Sequence, residues 1–345
     1  MNNSSNLNNS INFKVIDGYA YTAAVFFSFI GLSANIFLLY ILIKHKIFEK
    51  TTYYLLRISV ISDIICNLTT ITGYIMVIAA NLSYSDGQTL CRCLMFIILS
   101  SYGISIMTLC VIGIDRYFVI AKPLSSFYRR RKQQIISGQL VLVTIIVFAS
   151  TLPELFFASS YPDDTKFCDL INITPTVSYY LIMITITLYI IPAITLTISY
   201  SKIIFYLRNY VRPGESIINP NSENHKKKKF INTLISIATA YLLISWPFFA
   251  TCLGMAITRR PLRQVRQLGV VYYMLTFFSF STTTAISILN PYLYFKFDSA
   301  IRSKAKMHLS SIYDKAKSRI LTAEDGASNT QLIKVISHGN GVYTQ

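Results

Sequence analysis

Residues 93–116 read CLMFIILSSYGISIMTLCVIGIDR, and this stretch decides the fold. No charged residue occurs from Cys93 to Ile114, and this run is longer than the ~18–20 residues that a helix needs to cross the hydrocarbon of a membrane. Asp115 and Arg116 then follow side by side. Charges at the end of an apolar helix are costly to bury. The pair therefore predicts a site with a functional role at the end of a membrane-spanning helix.

Five further segments are uncharged over a similar length, and a sixth is interrupted only by Asp63. Together they predict an all-α membrane protein built as a seven-transmembrane helix bundle. The chain has 345 residues, of which 53% are hydrophobic and 14% are charged, a balance too apolar for a soluble protein of this size. Helices can cross a membrane because they satisfy their own backbone hydrogen bonds. A large soluble helical bundle is the alternative, but its helices would show a polar face, and these segments are apolar all round. The predicted spans one to seven cover residues 19–43, 58–85, 93–114, 133–153, 170–201, 230–258 and 267–295.

The predicted layout has four parts. They are an extracellular N-terminal tail (1–18), a seven-transmembrane domain (19–295), an amphipathic helix (296–313) and a cytoplasmic tail (314–345). Within residues 296–313, apolar residues recur on one side of a helix and basic residues lie opposite. This pattern predicts a short eighth helix on the inner surface of the membrane.

The net charge of +17 could indicate nucleic acid, but its placement indicates membrane topology instead. Lysine and arginine concentrate after spans one, three, five and seven, and this asymmetry predicts an extracellular N-terminus and a cytoplasmic C-terminus in the plasma membrane. The first residues contain no basic region followed by an apolar one, so we expect no cleaved signal peptide. Sequons on the predicted outer side indicate glycosylation at Asn2, Asn3, Asn8, Asn81 and Asn172.

Two cysteines lie on the predicted oxidising side, where a disulfide is stable. Cys91 stands at the start of span three, and Cys168 lies in the loop before span five. Cys93 is a competing partner, although two residues along a helix turn it ~200° away from Cys91.

Motifs in six of the spans form a recognisable set. They are Asn35, Asp63, Asp115-Arg116-Tyr117, Pro192 with Tyr200, Trp246-Pro247, and Asn290-Pro291-Tyr292-Leu293-Tyr294. With these motifs the chain resembles the rhodopsin-like family of G-protein-coupled receptors, from Asn35 to the tail helix.

The resemblance implies a receptor, not an enzyme, that converts binding of an extracellular ligand into activation of a heterotrimeric G protein. Arrestin and a receptor kinase are further implied partners. Asp115 and Arg116 are expected to pair at rest, and Arg116 is expected to face the G protein in the active state, with Tyr200 and Tyr294 beside it. The alternative for Arg116 is a side chain that merely extends to the membrane surface.

The resemblance also implies a pivot in span six at Trp246 and Pro247. However, the family usually places its tryptophan where this chain has Ser245, and a shift of one residue turns the ring by ~100°. Lys227 stands where family members often have an acid that bridges to the arginine. We therefore expect activity without ligand.

Asp63 is the only acid in the middle of a span, and a buried carboxylate of this kind usually has a partner. The resemblance implies an oxygen-rich cluster of Asp63, Asn35, Ser105 and Asn290 that could hold Na⁺; we expect no other cofactor. Because Ile286 replaces a further asparagine of the family, the alternatives of titration at Asp63 or a water network stay open.

Elimination narrows the ligand class. Thr284 replaces the lysine that binds retinal in opsins, and Ile98 replaces the aspartate that binds monoamines in amine receptors. A peptide, a lipid or another organic signal remains, and a neuropeptide-type ligand is favoured. An arginine cluster at the predicted outer rim favours ligands with carboxylate, phosphate or sulfate groups. The alternative is that these arginines pair with the outer acids Asp163, Asp164 and Asp169. The cluster comprises Arg259, Arg260, Arg263 and Arg266.

Three other classes of protein were weighed. A transporter or channel should show a charged pathway through several spans, and only Asp63 is available. An intramembrane enzyme should show paired acids or histidines within the spans, and all four histidines lie outside them. A receptor that binds ligand without coupling stays an alternative because the displaced Trp246 could impair switching.

Overall fold

The computed structural model describes residues 13–79, 81–121, 126–209, 221–311 and 313–315. Within them, seven long helices correspond to the predicted spans. They extend beyond most of the uncharged runs because charged and polar residues at helix ends can lie outside the hydrocarbon. The helices are span one (Phe13–Lys44), span two (Thr51–Ala79), span three (Tyr84–Ala121), span four (Ser126–Thr151), span five (Pro175–Thr185 continued by Ile191–Asn209), span six (Asn221–Thr258) and span seven (Val270–Phe297).

Six of these helices are long and apolar enough to cross a membrane, by length and composition. Span seven is not among them in the part of the chain that the structure describes. Its middle contains several hydroxyl residues, and three of them, Ser279, Thr283 and Ser287, are buried. Because span seven packs against spans one, two and six, neighbouring helices shield these hydroxyls from the lipid.

Span three is the central helix, and it contacts spans two, four, five, six and seven. It begins after Ser83, whose hydroxyl accepts a hydrogen bond from the Asp86 backbone N–H at 3.2 Å and so caps the first turn. Aliphatic side chains from its middle, such as Ile106, Leu109 and Ile112, are fully or almost fully buried. The sequence that decides the fold therefore lies at the centre of the core.

Span five contains a π-helical turn at Ile186–Ile190. Pro192 lies two residues after this turn, and a proline lacks the backbone N–H and crowds the carbonyl four residues earlier, which here belongs to Leu188 within the turn. A wider turn relieves that clash, and π-turns of this kind are frequent at functional sites.

A short hairpin between spans four and five was missed by the sequence analysis. Strand β1 (Ser159–Tyr161) pairs antiparallel with strand β2 (Asp164–Asp169), with an irregularity after Ser160. The signal was present, because Pro162 and Asp163 are favoured turn residues. Two short helices, Glu154–Phe157 and Leu262–Gln267, lie at the same end of the helix bundle as the hairpin. We call this the hairpin end, and the opposite end of span three the Arg116 end.

The chain divides into two compact units, Met1–Asp298 and Ser299–Gln345. In the second unit, residues 299–311 form a helix. The location of this helix on the membrane surface stays a prediction. The tails at 1–18 and 314–345 also stay predictions, because most of their residues lie outside the described part of the chain.

Candidate functional site

Asp115 is the centre of a polar cluster at the Arg116 end. Its side chain is fully buried, and it forms ion pairs with Arg116 at 3.1 Å and with Lys132 at 2.8 Å. The Tyr128 hydroxyl donates a hydrogen bond to Asp115 Oδ1 at 2.7 Å. Tyr128 and Lys132 belong to the first turns of span four, where the backbone departs from helical geometry at Arg131. Three side chains therefore hold the buried carboxylate, of which the sequence analysis predicted one.

Arg116 is held from two sides. Besides its ion pair with Asp115, its guanidinium donates a hydrogen bond to the hydroxyl of Thr52 in the first turn of span two. Only 17% of the Arg116 side chain is exposed. Tyr200 and Tyr294 are also buried, and their hydroxyls have no hydrogen-bond partner in the described part of the chain. Tyr117 follows Arg116 in the sequence, and its ring faces Lys202, with the ring centre 5.5 Å from the ammonium group.

Asp63 is buried in the middle of the bundle, where two of its predicted neighbours contact it. The Ser105 hydroxyl donates to Asp63 Oδ1 at 3.0 Å, and Asn290 Nδ2 donates to Asp63 Oδ2 at 2.7 Å. Asn35 makes different contacts: its amide donates to the backbone oxygens of Gly31 and Ser287. The predicted cluster of four therefore has three members in direct contact, next to Pro291 in span seven.

Trp246 requires a correction. Its side chain is 53% exposed, so it points away from the core, whereas Ser245 is fully buried. The reason is the shift of one residue, which turns the ring outward, as its spacing suggested. Since Trp246 lies outside the core, the predicted pivot role is left to Pro247, whose carbonyl accepts a hydrogen bond from Ser279 of span seven at 2.8 Å.

Aromatic rings occupy the region around Ser245. Phe249 contacts three rings, with centroid distances of 5.0 Å to Phe248, 5.2 Å to Tyr189 and 5.6 Å to Tyr102. Tyr102 in turn lies 6.0 Å from Tyr241. We call these five residues the aromatic cluster. The Tyr241 hydroxyl accepts a hydrogen bond from Asn290 Nδ2 at 3.1 Å, so the cluster continues into the Asp63 site.

A cavity of about 160 Å³ lies above the aromatic cluster at the hairpin end. Phe248 belongs both to the cluster and to the wall of the cavity. Two residues that the ligand argument singled out, Ile98 and Thr284, also line it. The hairpin closes part of the cavity with Lys166, Phe167 and Cys168. The cavity and the Asp115 cluster therefore lie at opposite ends of span three.

A disulfide joins Cys91 to Cys168, with their Cα atoms 5.3 Å apart, and confirms the predicted pair. Cys93 is a free, exposed cysteine. The bond ties strand β2 to the first turns of span three. Gly87 permits this approach, since a Cβ atom there would lie 2.3 Å from the backbone oxygen of Thr165.

For one arginine of the predicted rim, the structure favours the alternative that it pairs with an outer acid and does not bind a ligand. Arg263 forms a bidentate ion pair with Asp163, which raises the pKa of Arg263, and its guanidinium stacks 4.4 Å from the Tyr161 ring centre. Arg259 and Arg260 are exposed and do not line the cavity, and the side chain of Arg266 lies outside the described part of the structure. The rim therefore does not present Arg263 as a free cation.

Asp169 links the hairpin to the helix Leu262–Gln267. Its carboxylate accepts hydrogen bonds from the backbone N–H groups of Leu262 at 3.1 Å and Arg263 at 2.9 Å, from Leu170 N–H at 2.7 Å, and from the Tyr161 hydroxyl at 2.9 Å. Burial raises the pKa of Asp169, while these hydrogen bonds act in the opposite direction. The connection between spans six and seven is thus fastened to the hairpin.

The sequons fall into two groups. Asn81 and Asn172 are exposed in connections at the hairpin end, where a glycan could be accommodated. Asn2, Asn3 and Asn8 lie outside the described residues. Glycosylation at all five stays a prediction.

Three residues at the Arg116 end could not be predicted from the sequence. Tyr128, Lys132 and Thr52 contact the Asp115–Arg116 pair from other spans, and nothing in their local sequence distinguishes them from solvated side chains at a membrane surface. Their role follows only from how spans two, three and four pack.

Comparison with known proteins gives a consistent result. A family model described as "7 transmembrane receptor (rhodopsin family)" matches residues 34–294. Similar proteins include rhodopsin of Sminthopsis crassicaudata, 24% identical over 79% of this chain and 76% of that protein. Prokineticin receptor 1 of Bos taurus is 26% identical over 71% of this chain and 63% of the receptor. Tachykinin-like peptides receptor 99D of Drosophila melanogaster is 24% identical over 81% of this chain and 54% of the receptor.

The match covers the region from span one to span seven, including the Asp115–Arg116 pair, the Asp63 site and Asn290. Members of this family are receptors and not enzymes, and the apolar helices agree with a multi-pass protein of the plasma membrane. The chain therefore belongs to the rhodopsin family of seven-transmembrane receptors.

Proposed function

We propose that this receptor converts binding of an extracellular peptide into activation of a heterotrimeric G protein. The observation that carries the proposal is the arrangement along span three. A cavity at the hairpin end and a held arginine at the Arg116 end are joined by one helix through the centre of the bundle. A signalling receptor needs both a ligand site and a switch, and it needs them on opposite sides of the membrane.

The hairpin end faces outward in this proposal. The disulfide Cys91–Cys168 supports that orientation, because disulfides persist in oxidising compartments. The exposed sequons at Asn81 and Asn172 lie at the same end. The lysines of span one and span six, such as Lys44 and Lys227, then lie on the inner side, as the positive-inside asymmetry predicts.

A peptide is the proposed ligand. Two of the similar receptors are named for prokineticin and for tachykinin-like peptides. Thr284 lines the cavity in place of the lysine that would bind retinal, and Ile98 lines it in place of an aspartate that would bind a monoamine. A peptide that inserts one or two side chains into the cavity is consistent with both observations.

The signal passes from the cavity to the aromatic cluster in this proposal. A ligand group that displaces Phe248 also displaces Phe249, because their rings touch. Movement of Tyr102 and Tyr241 then changes the hydrogen bond to Asn290 and so the contacts of Asp63. Span six turns at Pro247, which lacks the backbone N–H that would resist bending there.

Release of Arg116 is the output. When spans two, three and four separate, the guanidinium loses Thr52 and Asp115 and becomes free to meet backbone carbonyls of an inserted G-protein helix. Tyr200 and Tyr294, whose hydroxyls are unpartnered within the described residues, are placed to bond in that state. Arrestin and a receptor kinase would act at the same end.

Na⁺ at Asp63 is a further part of the proposal. The donor set is made of oxygens, as Na⁺ requires, and Asn290 Oδ1 and Asn35 Oδ1 are buried without hydrogen-bond partners in the described part. The oxygens of Asp63, Ser105 and Asn290 fit a cation as donors and would hold it, whereas Asn35 contacts Gly31 and Ser287 instead of Asp63. A bound ion would supply positive charge to the buried carboxylate and favour the resting arrangement of spans two, three and seven.

A recruitment screen tests the proposed function. Cells that express the receptor and a G-protein or arrestin reporter would be exposed to a peptide library, to amines and to lipids. We expect the receptor to respond to peptides, and we expect the variant Phe248→Ala to respond more weakly to the same peptides. Responses confined to amines or lipids would contradict the ligand class, and saturable peptide binding without any G-protein recruitment would indicate a receptor that binds without coupling.

A further inference from the structure

Among the described residues, one acid belongs to the wall of the cavity at the hairpin end, and the signalling route does not use it. Glu154, at the end of span four, lines the cavity and is only 7% exposed. The Tyr180 hydroxyl donates a hydrogen bond to Glu154 Oε1 at 3.0 Å. Within the described residues, the side chain of Glu154 has no other hydrogen bond and no ion pair. One side of this buried carboxylate is therefore unpartnered.

The surroundings of Glu154 do not supply a counter-charge. Apolar side chains form most of the cavity wall, among them Leu94, Ile98, Leu181 and Met255. Lys166 of strand β2 is the cavity's one lysine within the described residues, and it forms no ion pair with Glu154. A carboxylate in such surroundings is unfavourable unless something pairs with it.

A purely structural role explains this arrangement poorly. A neutral glutamine would accept the same hydrogen bond from Tyr180 without the cost of a buried acid, so the hydrogen bond does not require the charge of Glu154. A ligand cation would use that charge, and it would be held more strongly in this desolvated site than in water.

We propose that Glu154 anchors the positively charged group of the ligand, so that the cavity takes an apolar segment carrying a guanidinium or ammonium group. The proposal rests on the proposed function, in which this cavity is the ligand site. It reverses the charge preference expected from the predicted arginine rim. Arg263 of that rim is already neutralised by Asp163, whereas Glu154 has no charged partner in the described part.

The size of the cavity limits what enters it. The cavity has a volume of about 160 Å³, which is small beside the ~300–1,000 Å³ of typical ligand pockets. That volume suits one long or two short side chains of a peptide. We therefore expect an arginine, a lysine or a free terminal amine of the peptide, next to an apolar residue, to occupy it.

Binding of two small probes to the purified full-length receptor tests the proposal. Hexylguanidinium carries the charge, and hexylurea has nearly the same shape without it. Affinities would be measured by thermal shift and by saturation-transfer NMR for the wild type and for Glu154→Gln, which keeps an acceptor for Tyr180. The matched control is Asp86→Asn, which removes an exposed acid in the first turn of span three that does not line the cavity.

We expect hexylguanidinium to bind the wild type and Asp86→Asn equally, and to bind Glu154→Gln about ten- to a hundred-fold more weakly, the effect of losing a charge-assisted hydrogen bond. Hexylurea should not distinguish wild type from Glu154→Gln. Equal binding of hexylguanidinium to wild type and Glu154→Gln, or no binding to the wild type at millimolar concentration, would overturn the proposal.

A second measurement needs no variant and therefore does not depend on folding of Glu154→Gln. Carboxylates of the wild type would be coupled to glycine ethyl ester with a water-soluble carbodiimide and mapped by mass spectrometry. Hexylguanidinium should protect Glu154 and leave Asp163 reactive, and hexylurea should protect neither; an unprotected Glu154 would contradict the anchor. Neither measurement involves a G protein, so this inference can fail while the proposed function stands.

Discussion

Replacing Lys132 by methionine should lower the activity of the receptor without ligand. Lys132 and Arg116 both bind Asp115, through different carboxylate oxygens. The two cations therefore repel each other while they share one acid. Without Lys132, the whole charge of Asp115 acts on Arg116, and the arginine is held more firmly in the resting arrangement.

The magnitude follows from the geometry. Two positive charges about 6 Å apart repel by about 3 kcal/mol at an effective dielectric constant of about 20. The Lys132 side chain is 29% exposed, so solvent and salt reduce the effect to about 1 kcal/mol. That difference corresponds to about a five-fold shift in the equilibrium between held and released Arg116.

The assay is nucleotide exchange on a G protein without ligand, normalised to receptor at the cell surface. Arg130→Met is the matched control, since Arg130 is exposed in the same helix and its replacement removes the same charge. We expect about five-fold slower exchange for Lys132→Met, no change for Arg130→Met, and faster exchange for Asp115→Asn, which releases Arg116. Unchanged or faster exchange in Lys132→Met at wild-type thermal stability would refute the reasoning.

Three further results are expected. Trp246→Leu should change thermal stability by less than about 0.5 kcal/mol because the ring is half exposed. Tyr241→Phe should reduce ligand-induced nucleotide exchange because it breaks the hydrogen bond to Asn290. Equal ligand-induced exchange in the two variants would contradict the aromatic route. Asp169→Ala should destabilise the hairpin end by about 1–3 kcal/mol and increase hydrogen exchange at residues 262–267, and unchanged exchange would contradict the fastening. Asp63→Asn should abolish the effect of Na⁺ on agonist affinity; identical curves in Na⁺ and in a bulky cation for the wild type would remove the ion.

The bundle itself could be predicted from the sequence because lipid imposes a simple rule. Uncharged runs of sufficient length must be helices, since no water is present to satisfy an open backbone. The disulfide could be predicted because Cys91 and Cys168 both fall on the predicted outer side, with Cys93 as the competing partner. Span seven shows the limit of this rule: its hydroxyls are tolerated because neighbouring helices bury them.

The contacts of the site could not be predicted, because they depend on how helices distant in sequence pack together. Lys132 contacts Asp115 from the part of span four that departs from helical geometry at Arg131, and Thr52 contacts Arg116 because span two begins beside this end of span three. The sequence spacing did indicate that Trp246 would turn away from the core. It gave no indication that Tyr102 and Phe249 would fill the region beside Ser245.

The rim arginines show why charge alone is a poor guide to a ligand. Four arginines in a short loop suggested an acidic ligand, yet Arg263 is paired with Asp163 of the hairpin. The buried Glu154, a single acid in an apolar segment, drew no attention in the sequence. An isolated charge that lines a cavity is more informative than several charges at its edge.

Nucleotide exchange with purified components tests the central claim most directly. Wild type and Arg116→Ala would each be reconstituted with a heterotrimeric G protein, and the rate of GTP binding would be measured without ligand. The account predicts measurable exchange for the wild type and a loss of at least about ten-fold for Arg116→Ala at equal thermal stability, since a charged group that meets backbone carbonyls contributes about 1.5–3 kcal/mol. Equal rates for the two proteins would show that Arg116 is not the group released toward the G protein.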